Sequence, residues 1–159
     1  MSLAFASAEI GADEFRERRE QAKRSGNPAW LWPEVAVSDW AAATAAISQG
    51  AADVLASHRG ALGQIDPRAL SLACYTSGVG PLLGYWVETG ALNAPDEAEE
   101  LLALHLEQSR ARSDKVEPQS SEVVSALVES GVPVVVLKGM HTARSYFPDP
   151  ATRPASDLD

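Results

Sequence analysis

The sequence predicts a mainly helical chain that leads, near its C-terminal end, into the first strand–helix–strand of a mixed sheet, and so an α+β protein overall. Two observations predict this fold class. Residues 12 to 130 combine helix start signals, apolar residues at helical spacing and glycines where helices should stop. Residues 132 to 137, "VPVVVL", form a β-branched run that is typical of a strand buried on both faces. We therefore expect a helical N-terminal region over residues 1–130 and the start of an incomplete second core over residues 131–159.

The composition limits the classes of protein that fit this chain. Of its 159 residues, 45% are hydrophobic and 22% are charged, so the chain can bury a core. A formal net charge of −9 argues against a general nucleic-acid binder. The N-terminus lacks a basic and apolar leader, and no apolar run is long enough to cross a membrane. Cys74, the single cysteine, lies in an apolar stretch that indicates a buried thiol. We expect a cytoplasmic protein with no membrane partner.

The first two helices are predicted from charge, capping residues and apolar spacing. Residues 12 to 24 are charged and helix-prone, which predicts a solvated N-terminal helix. Ser38 is expected to cap a second helix that ends near His58. The buried face of this second helix is predicted to contain Trp40, Ile47 and Val54.

Further helices are predicted between residues 66 and 130. Asp66 before Pro67 is a start signal, because a capping carboxylate is followed by proline at the first helical position. A shorter helix is expected over residues 81–88. Residues 95 to 112 form the clearest helix, with acidic residues in the first turn and basic residues in the last. Pro118 is expected to start another, separate helix.

The residues with the clearest chemistry follow the β-branched run. Gly139 would let the backbone approach a phosphate closely, and the N–H groups of the segment after it could face the anion. Lys138 would add a positive point charge, and Arg153 a planar fork that matches phosphate oxygens. Asp157 and Asp159 stand at alternate positions, so on a strand their carboxylates share one face and suit Mg²⁺. The order predicts a nucleotide site with a metal site beside it.

Each of these residues also has an ordinary interpretation. Lys138 and Gly139 can simply end a strand, Arg153 can be a surface residue, and an Asp-x-Asp triplet can be solvated in a turn. His105 is interpreted as a packed side chain rather than a metal ligand, because no His or Cys lies three or four residues away. The alternative function is therefore a non-catalytic helical module that binds a protein partner.

The combined stretch resembles the signature of a family of uncharacterised bacterial nucleotidyltransferases in the DNA polymerase β-like superfamily. That signature is an apolar strand, Leu-Lys-Gly, a Tyr-Pro-x-Pro turn, an Arg, and Asp-Ile-Asp. The matching residues are Leu137, Lys138, Gly139, Tyr146, Pro148, Asp149, Pro150, Arg153, Asp157, Leu158 and Asp159. Phe147 is one residue more than the signature has, and Met140 stands where a second small residue is common.

The resemblance implies a function and a set of roles. It implies transfer of a nucleoside monophosphate from an NTP to an unknown acceptor, with Mg²⁺ as the cofactor and pyrophosphate as the product. Asp157 and Asp159 would be the catalytic, metal-holding carboxylates, while Lys138, Gly139 and Arg153 would bind the nucleotide. The resemblance also implies a third carboxylate on a later strand. We therefore expect the chain to be an N-terminal fragment of such an enzyme and inactive alone.

Overall fold

The computed structural model describes residues 12–135 and 139–153 of the chain. The helices in these residues are α1 (Ala12–Ser25), α2 (Val37–Leu55), α3 (Pro67–Ser77), α4 (Gly80–Glu88), α5 (Asp96–Glu129) and α6 (Met140–Tyr146). The remaining elements are the 3₁₀ turns Pro28–Leu31 and Pro150–Thr152 and the parallel strands β1 (Gly60–Ala61) and β2 (Leu92–Asn93). The prediction of a mainly helical chain is confirmed, and the short parallel pair is an addition that the sequence did not suggest.

The hydrophobic core forms where α2, α3 and α4 pack with the first half of α5. Helix α1 joins it through Phe15, whose ring stands edge-on to Tyr75 with the centroids 5.7 Å apart. Cys74 is buried, as expected from its apolar surroundings in the sequence, and this burial raises the pKa of its thiol to about 12. The largest fully buried apolar side chains are Leu70, Leu72, Cys74, Leu83, Leu92 and Leu102.

Helix α4 lies unusually close to α5 because two glycines, one helical turn apart, face the longer helix. A Cβ atom on Gly84 would lie 2.3 Å from the carbonyl oxygen of Leu102. A Cβ atom on Gly80 would lie 2.7 Å from Nδ1 of His105. Neither position has space for a methyl group, so the sequence Gly-x-x-x-Gly sets the separation of these two helices.

Capping was predicted correctly for α3 and wrongly for α2. The Asp66 carboxylate accepts a hydrogen bond from the Ala69 backbone N–H at 2.9 Å, as expected for an N-cap residue. Helix α2 instead begins at Val37, and Ala36 is its N-cap residue without a side-chain hydrogen bond. The Ala36 carbonyl already accepts from the N–H of Trp40, so Ser38 lies inside the first turn and cannot cap it.

Because Asp66 caps α3 and Ser38 does not cap α2, their replacement should affect stability differently. Asp66→Ala should lower the free energy of unfolding by about 1 kcal/mol, because the first turn of α3 loses its capping acceptor. Ser38→Ala is the matched control and should change that free energy by less than about 0.5 kcal/mol. Urea unfolding followed by circular dichroism measures both values. Equal losses in the two variants would contradict the assignment of the caps.

Helix α5 differs from the prediction because it continues through Pro118 as a single helix of 34 residues. A proline inside a helix removes the hydrogen bond to the carbonyl four residues earlier, here that of Asp114. Both residues are exposed, so solvent can reach the freed carbonyl and the helix need not end. Although α5 is long, no helix in the described part of the chain is both long and apolar enough to cross a membrane.

The strand predicted over residues 132–137 does not appear in its described part. Residues 132–135 are irregular, and the side chain of Val135 is 77% exposed rather than buried. Residues 136–138 lie outside the described residues. β-branched side chains favour an extended backbone, but a strand also needs a neighbour for its N–H and C=O groups. Within residues 12–135 and 139–153 the only strand pairing is between β1 and β2.

Candidate active site

The structure describes two of the five residues predicted for the nucleotide and metal sites. Gly139 and Arg153 lie within the described residues. Lys138, Asp157 and Asp159 lie outside them, so their roles stay predictions. The described part of the site is therefore the segment between the end of the predicted strand and the start of the Asp-x-Asp triplet.

Gly139 occupies a conformation that glycine alone adopts readily. Its φ of 67° and ψ of −112° lie outside the regions open to L-residues, and α6 begins immediately after it. A Cβ atom at this position would meet no atom within 4 Å, so the surrounding space is open. The glycine is required by its backbone angles rather than by crowding, and its backbone remains accessible from that open side.

Arg153 contacts Gly139 although 13 residues separate them in the chain. Arg153 Nη1 donates to the Gly139 carbonyl oxygen at 3.3 Å. The same carbonyl accepts from the Ala143 N–H at 3.0 Å, which is the first bond of α6. The structure therefore brings together the two predicted nucleotide-binding residues that it describes, and it shows Arg153 anchoring the segment.

The segment that precedes Arg153 is docked against α5. We call residues 148–153 the proline turn, since Pro148 and Pro150 flank its bend. Ser109 on α5 donates its hydroxyl to the Ala151 carbonyl at 2.5 Å. Ala151 and Thr152 are buried in this contact, and Thr152 is only 1% exposed. The turn is thus packed onto the helical region.

Arg110 makes the second contact between α5 and the proline turn. Its Nε and Nη2 donate to Asp149 Oδ2 at 3.2 and 3.1 Å. Its Nη1 and Nη2 also form a fork with the two carboxylate oxygens of Glu88, at 2.9 and 2.8 Å. The hydrogen bonds to Glu88, and then those to Asp149, raise the pKa of the guanidinium, so Arg110 stays charged. Three elements meet at this one side chain: α4, α5 and the proline turn.

Asp149 uses its two carboxylate oxygens for different purposes. Oδ2 accepts from Arg110, whereas Oδ1 accepts from the Ala151 N–H at 2.8 Å and caps the short 3₁₀ turn. The Thr152 hydroxyl donates to the Asp149 carbonyl oxygen at 2.7 Å. One carboxylate therefore fixes both the shape of the turn and its attachment to α5.

Helix α6 is held to α5 by an ion pair between Arg144 and Glu117. A small cavity of about 30 Å³ lies between α6, α5 and the proline turn, and its lining includes Arg144, Arg153 and Glu117. This volume is large enough for a water molecule and too small for a nucleotide. A nucleotide therefore does not fit inside this cavity.

Ser109, Arg110 and Asp149 were not singled out from the sequence for this role. Asp149 does have a local signal, since Asp before Pro150 repeats the pattern of Asp66 before Pro67, which caps α3. Ser109 and Arg110 have none, because a Ser-Arg pair in a helical sequence resembles any other polar pair. The contact of Arg110 with the turn spans 39 residues of sequence, and that of Ser109 spans 42.

The described residues contain no alternative to the metal site predicted at Asp157 and Asp159, which themselves lie outside the described residues. In residues 12–135 and 139–153, no group of three His, Cys, Asp or Glu side chains is placed to hold a metal ion. His105 packs against Gly80 between α4 and α5, and burial lowers its pKa to about 4. The interpretation of His105 as a packed side chain is confirmed.

The lowered pKa of His105 predicts a pH dependence of stability. Its folded-state pKa lies below the unfolded value of about 6.5, so on acidification the unfolded chain binds a proton first. The contribution of His105 is therefore complete above that unfolded value and is lost as the pH falls toward the folded one. Between about pH 7 and pH 5 the loss should be about 2 kcal/mol. Urea unfolding at both pH values measures it.

The variant that tests this prediction removes the buried imidazole of His105. His105→Gln should flatten the curve between about pH 7 and pH 5, whatever its effect on stability at neutral pH. An unchanged slope in His105→Gln would contradict the assignment of this dependence to His105.

Comparison with known proteins identifies the family. A family model described as "uncharacterised nucleotidyltransferase" matches residues 63–159. The chain belongs to this nucleotidyltransferase family. No curated protein and no solved structure matches the chain. The matched range begins before α3, so it includes α3, α4, α5 and the proline turn as well as the Lys-Gly and Asp-x-Asp residues.

Family membership confirms part of what the sequence suggested. The chain is a nucleotidyltransferase by family, and a nucleotide is the substrate that this class implies. The matched range is longer than the motif, since it also contains the helices on which the proline turn is docked. Helices α3 to α5 therefore lie within the matched range, whereas α1 and α2 precede it.

Proposed function

We propose that this protein is a Mg²⁺-dependent nucleotidyltransferase that moves a nucleoside monophosphate from an NTP to a hydroxyl or phosphate group of an acceptor. The observation that carries the proposal is the family match over residues 63–159, which contains every residue of the predicted site. We also propose that its core belongs to the DNA polymerase β-like superfamily and acts in the cytoplasm, where NTP is abundant.

Asp157 and Asp159 are the proposed metal ligands. Carboxylate oxygens are the hard donors that Mg²⁺ prefers, so this donor set fits the ion. Bound Mg²⁺ would neutralise charge on the triphosphate and on the leaving pyrophosphate. Both residues lie outside the described residues, and the support for their role is the family match and their alternate spacing.

Gly139 and Arg153 are the proposed phosphate-side residues that the structure describes. The open space beside Gly139 lets a phosphate approach the backbone, which a side chain at that position would block. Arg153 uses Nη1 to hold the Gly139 carbonyl, and a guanidinium has further N–H donors that can bind a phosphate oxygen. Lys138 would add a second positive charge beside them. Anchor and phosphate ligand are thus compatible roles for Arg153.

The proposed step breaks one bond and forms one. An acceptor oxygen attacks the α-phosphorus of the NTP, and the bond from the α-phosphorus to its bridging oxygen breaks, so pyrophosphate leaves. The acceptor hydroxyl proton passes to solvent or to a carboxylate. This chain's residues contribute by binding and orienting the triphosphate, which is most of the catalysis in phosphate chemistry.

Position-specific labelling tests the proposal in the product of the intact gene, since the resemblance implies a further carboxylate on a later strand. NTP that carries a label either on the α-phosphorus or on the γ-phosphorus is incubated with Mg²⁺ and with pools of small metabolites, RNA or protein as acceptors. We expect the α-label on an acceptor, the γ-label in pyrophosphate, and loss of both on chelation of the metal. A γ-label on the acceptor would indicate a kinase and overturn the proposal. Metal-independent transfer would remove the role of Mg²⁺.

A further inference from the structure

Two hydrogen-bonded contacts connect the helical region to the predicted nucleotide site in series. Arg110 on α5, which also binds Glu88 on α4, holds Asp149, and Asp149 shapes the proline turn. At the other end of this turn, Arg153 holds the Gly139 carbonyl. The position of Gly139 relative to α5 therefore depends on where the turn is docked as well as on the ion pair between Arg144 of α6 and Glu117 of α5.

The contact to Asp149 is the part of the network that matters for the turn. Glu88 is 52% exposed and touches only Arg110 in this network, whereas Asp149 is 25% exposed and belongs to the turn itself. The bond from Arg110 to Glu88 joins two helices that already pack closely along the glycine face. The bond to Asp149 joins α5 to a segment that has no regular helix of its own beyond one short 3₁₀ turn. Loss of Arg110 should therefore affect the turn more than it affects the helices.

We infer that Arg110 is a positioning residue of this nucleotidyltransferase: it fixes the proline turn, and through it Arg153 and Gly139, in the place where the triphosphate must bind. The inference rests on the proposed function, since it assigns Arg110 a role in that site. In this role Arg110 acts through its bond to Asp149 and not on the substrate or the metal.

A purely structural role for Arg110 makes a different prediction. In that case removal of either partner of the Arg110–Glu88 pair would loosen the α4–α5 contact, and activity would fall in proportion to the unfolded fraction. Glu88→Gln removes that pair and leaves the bond to Asp149 in place, so it is the matched control. Asp149→Asn is the converse variant, because the amide oxygen can still accept from the Ala151 N–H while the charge that binds Arg110 is gone.

Amide hydrogen exchange measures the position of the turn without any requirement for activity. Exchange is measured on the full chain for Arg110→Gln, Asp149→Asn and Glu88→Gln. We expect Arg110→Gln and Asp149→Asn to speed exchange of the Ala151 and Thr152 amides by at least about tenfold, since local opening becomes easier. Glu88→Gln should leave these two rates within about twofold of the wild type. If Arg110→Gln does not fold, Asp149→Asn decides the same point.

Steady-state kinetics on the product of the intact gene measures the consequence for transfer. Arg110→Gln and Asp149→Asn should lower kcat by about tenfold to a hundredfold with KM for NTP changed by less than about threefold, as expected for misplacement rather than lost binding. Glu88→Gln should keep kcat within about twofold. Arg110→Lys should recover part of kcat, because it keeps the charge but not the fork.

The outcomes separate the two hypotheses. Equal exchange rates or equal losses of kcat in Arg110→Gln and Glu88→Gln would overturn the positioning role. A wild-type protein that transfers no nucleotide would overturn the proposed function and, with it, the catalytic part of the inference. The exchange data would then still decide whether Arg110 holds the turn, so the two failures are distinguishable.

Discussion

Asp159→Asn in the product of the intact gene should lower the rate of nucleotide transfer by about a thousandfold, and Asp157→Asn should have a similar effect. The amide side chain keeps one oxygen ligand for Mg²⁺ but carries no negative charge. It therefore attracts the ion less strongly and neutralises less of its double positive charge. Stabilisation by a bound metal is worth several kcal/mol, and about 1.4 kcal/mol corresponds to a factor of ten in rate. Loss of one of two carboxylates should remove most of that stabilisation.

The measurement is pyrophosphate release from each NTP with the acceptor found by labelling, over a range of Mg²⁺ concentrations. Partial recovery of the variants at high Mg²⁺ would indicate weakened metal binding rather than misfolding. Asp39→Asn on α2 is the control, because it removes an exposed carboxylate outside the family-matched range and should leave the rate unchanged. Full activity of Asp159→Asn would remove the metal-site assignment.

The structural features that the sequence predicted well depend on residues close together in the chain. Asp66 caps α3 through the N–H three residues later, and Gly78 ends the same helix with a φ of 72°. Both signals lie within a single turn and need no knowledge of the rest of the fold. The burial of Ile47 also follows from apolar periodicity, and that of Cys74 from its apolar neighbours in the sequence.

The features that were predicted wrongly depend on surroundings that a local pattern does not contain. Pro118 was expected to separate two helices, but its exposed position lets α5 continue through it. Residues 132–135 have the side chains of a buried strand, yet β-branched composition cannot supply a neighbouring strand. Ser38 failed as a cap because the Ala36 carbonyl starts the helix two residues earlier.

The candidate site shows the same division. The order of Lys138, Gly139, Arg153 and the two aspartates predicted a nucleotide site beside a metal site, and the resemblance to the family signature implied nucleotide transfer. The docking of the proline turn did not follow from the sequence, since the bond from Arg110 to Asp149 joins residues 39 positions apart. Long-range pairs of charged surface residues have no signature in a single sequence, whereas caps and turns do.

Gly84→Ala should produce the largest loss of stability of any single methyl addition in the described helices. The new Cβ atom would lie 2.3 Å from the Leu102 carbonyl oxygen and 3.0 Å from the Leu102 carbonyl carbon. Both are backbone atoms of α5, so no side-chain rotation relieves the overlap and the two helices must separate. We expect a loss of about 3 kcal/mol in the free energy of unfolding, and a Tm lower by about 6–12 °C. Alanine's higher helix propensity would offset about 1 kcal/mol of the clash.

Two further glycines give a graded control for this loss. Gly50 lies inside α2, and a Cβ atom there would come within 3.2 Å of Leu92 Cδ1 and 3.3 Å of Leu62 Cδ2, which are ends of side chains that can move. Gly63 has nothing within 4 Å and no left-handed φ, so Gly63→Ala should change the free energy of unfolding by less than about 0.5 kcal/mol. Urea unfolding should therefore rank Gly84→Ala as the least stable, Gly50→Ala next and Gly63→Ala last. Because Arg110 on α5 also binds Glu88 at the end of α4, separation of the helices should weaken that pair as well. A Gly84→Ala protein as stable as Gly63→Ala would show that α4 and α5 do not pack as closely as described.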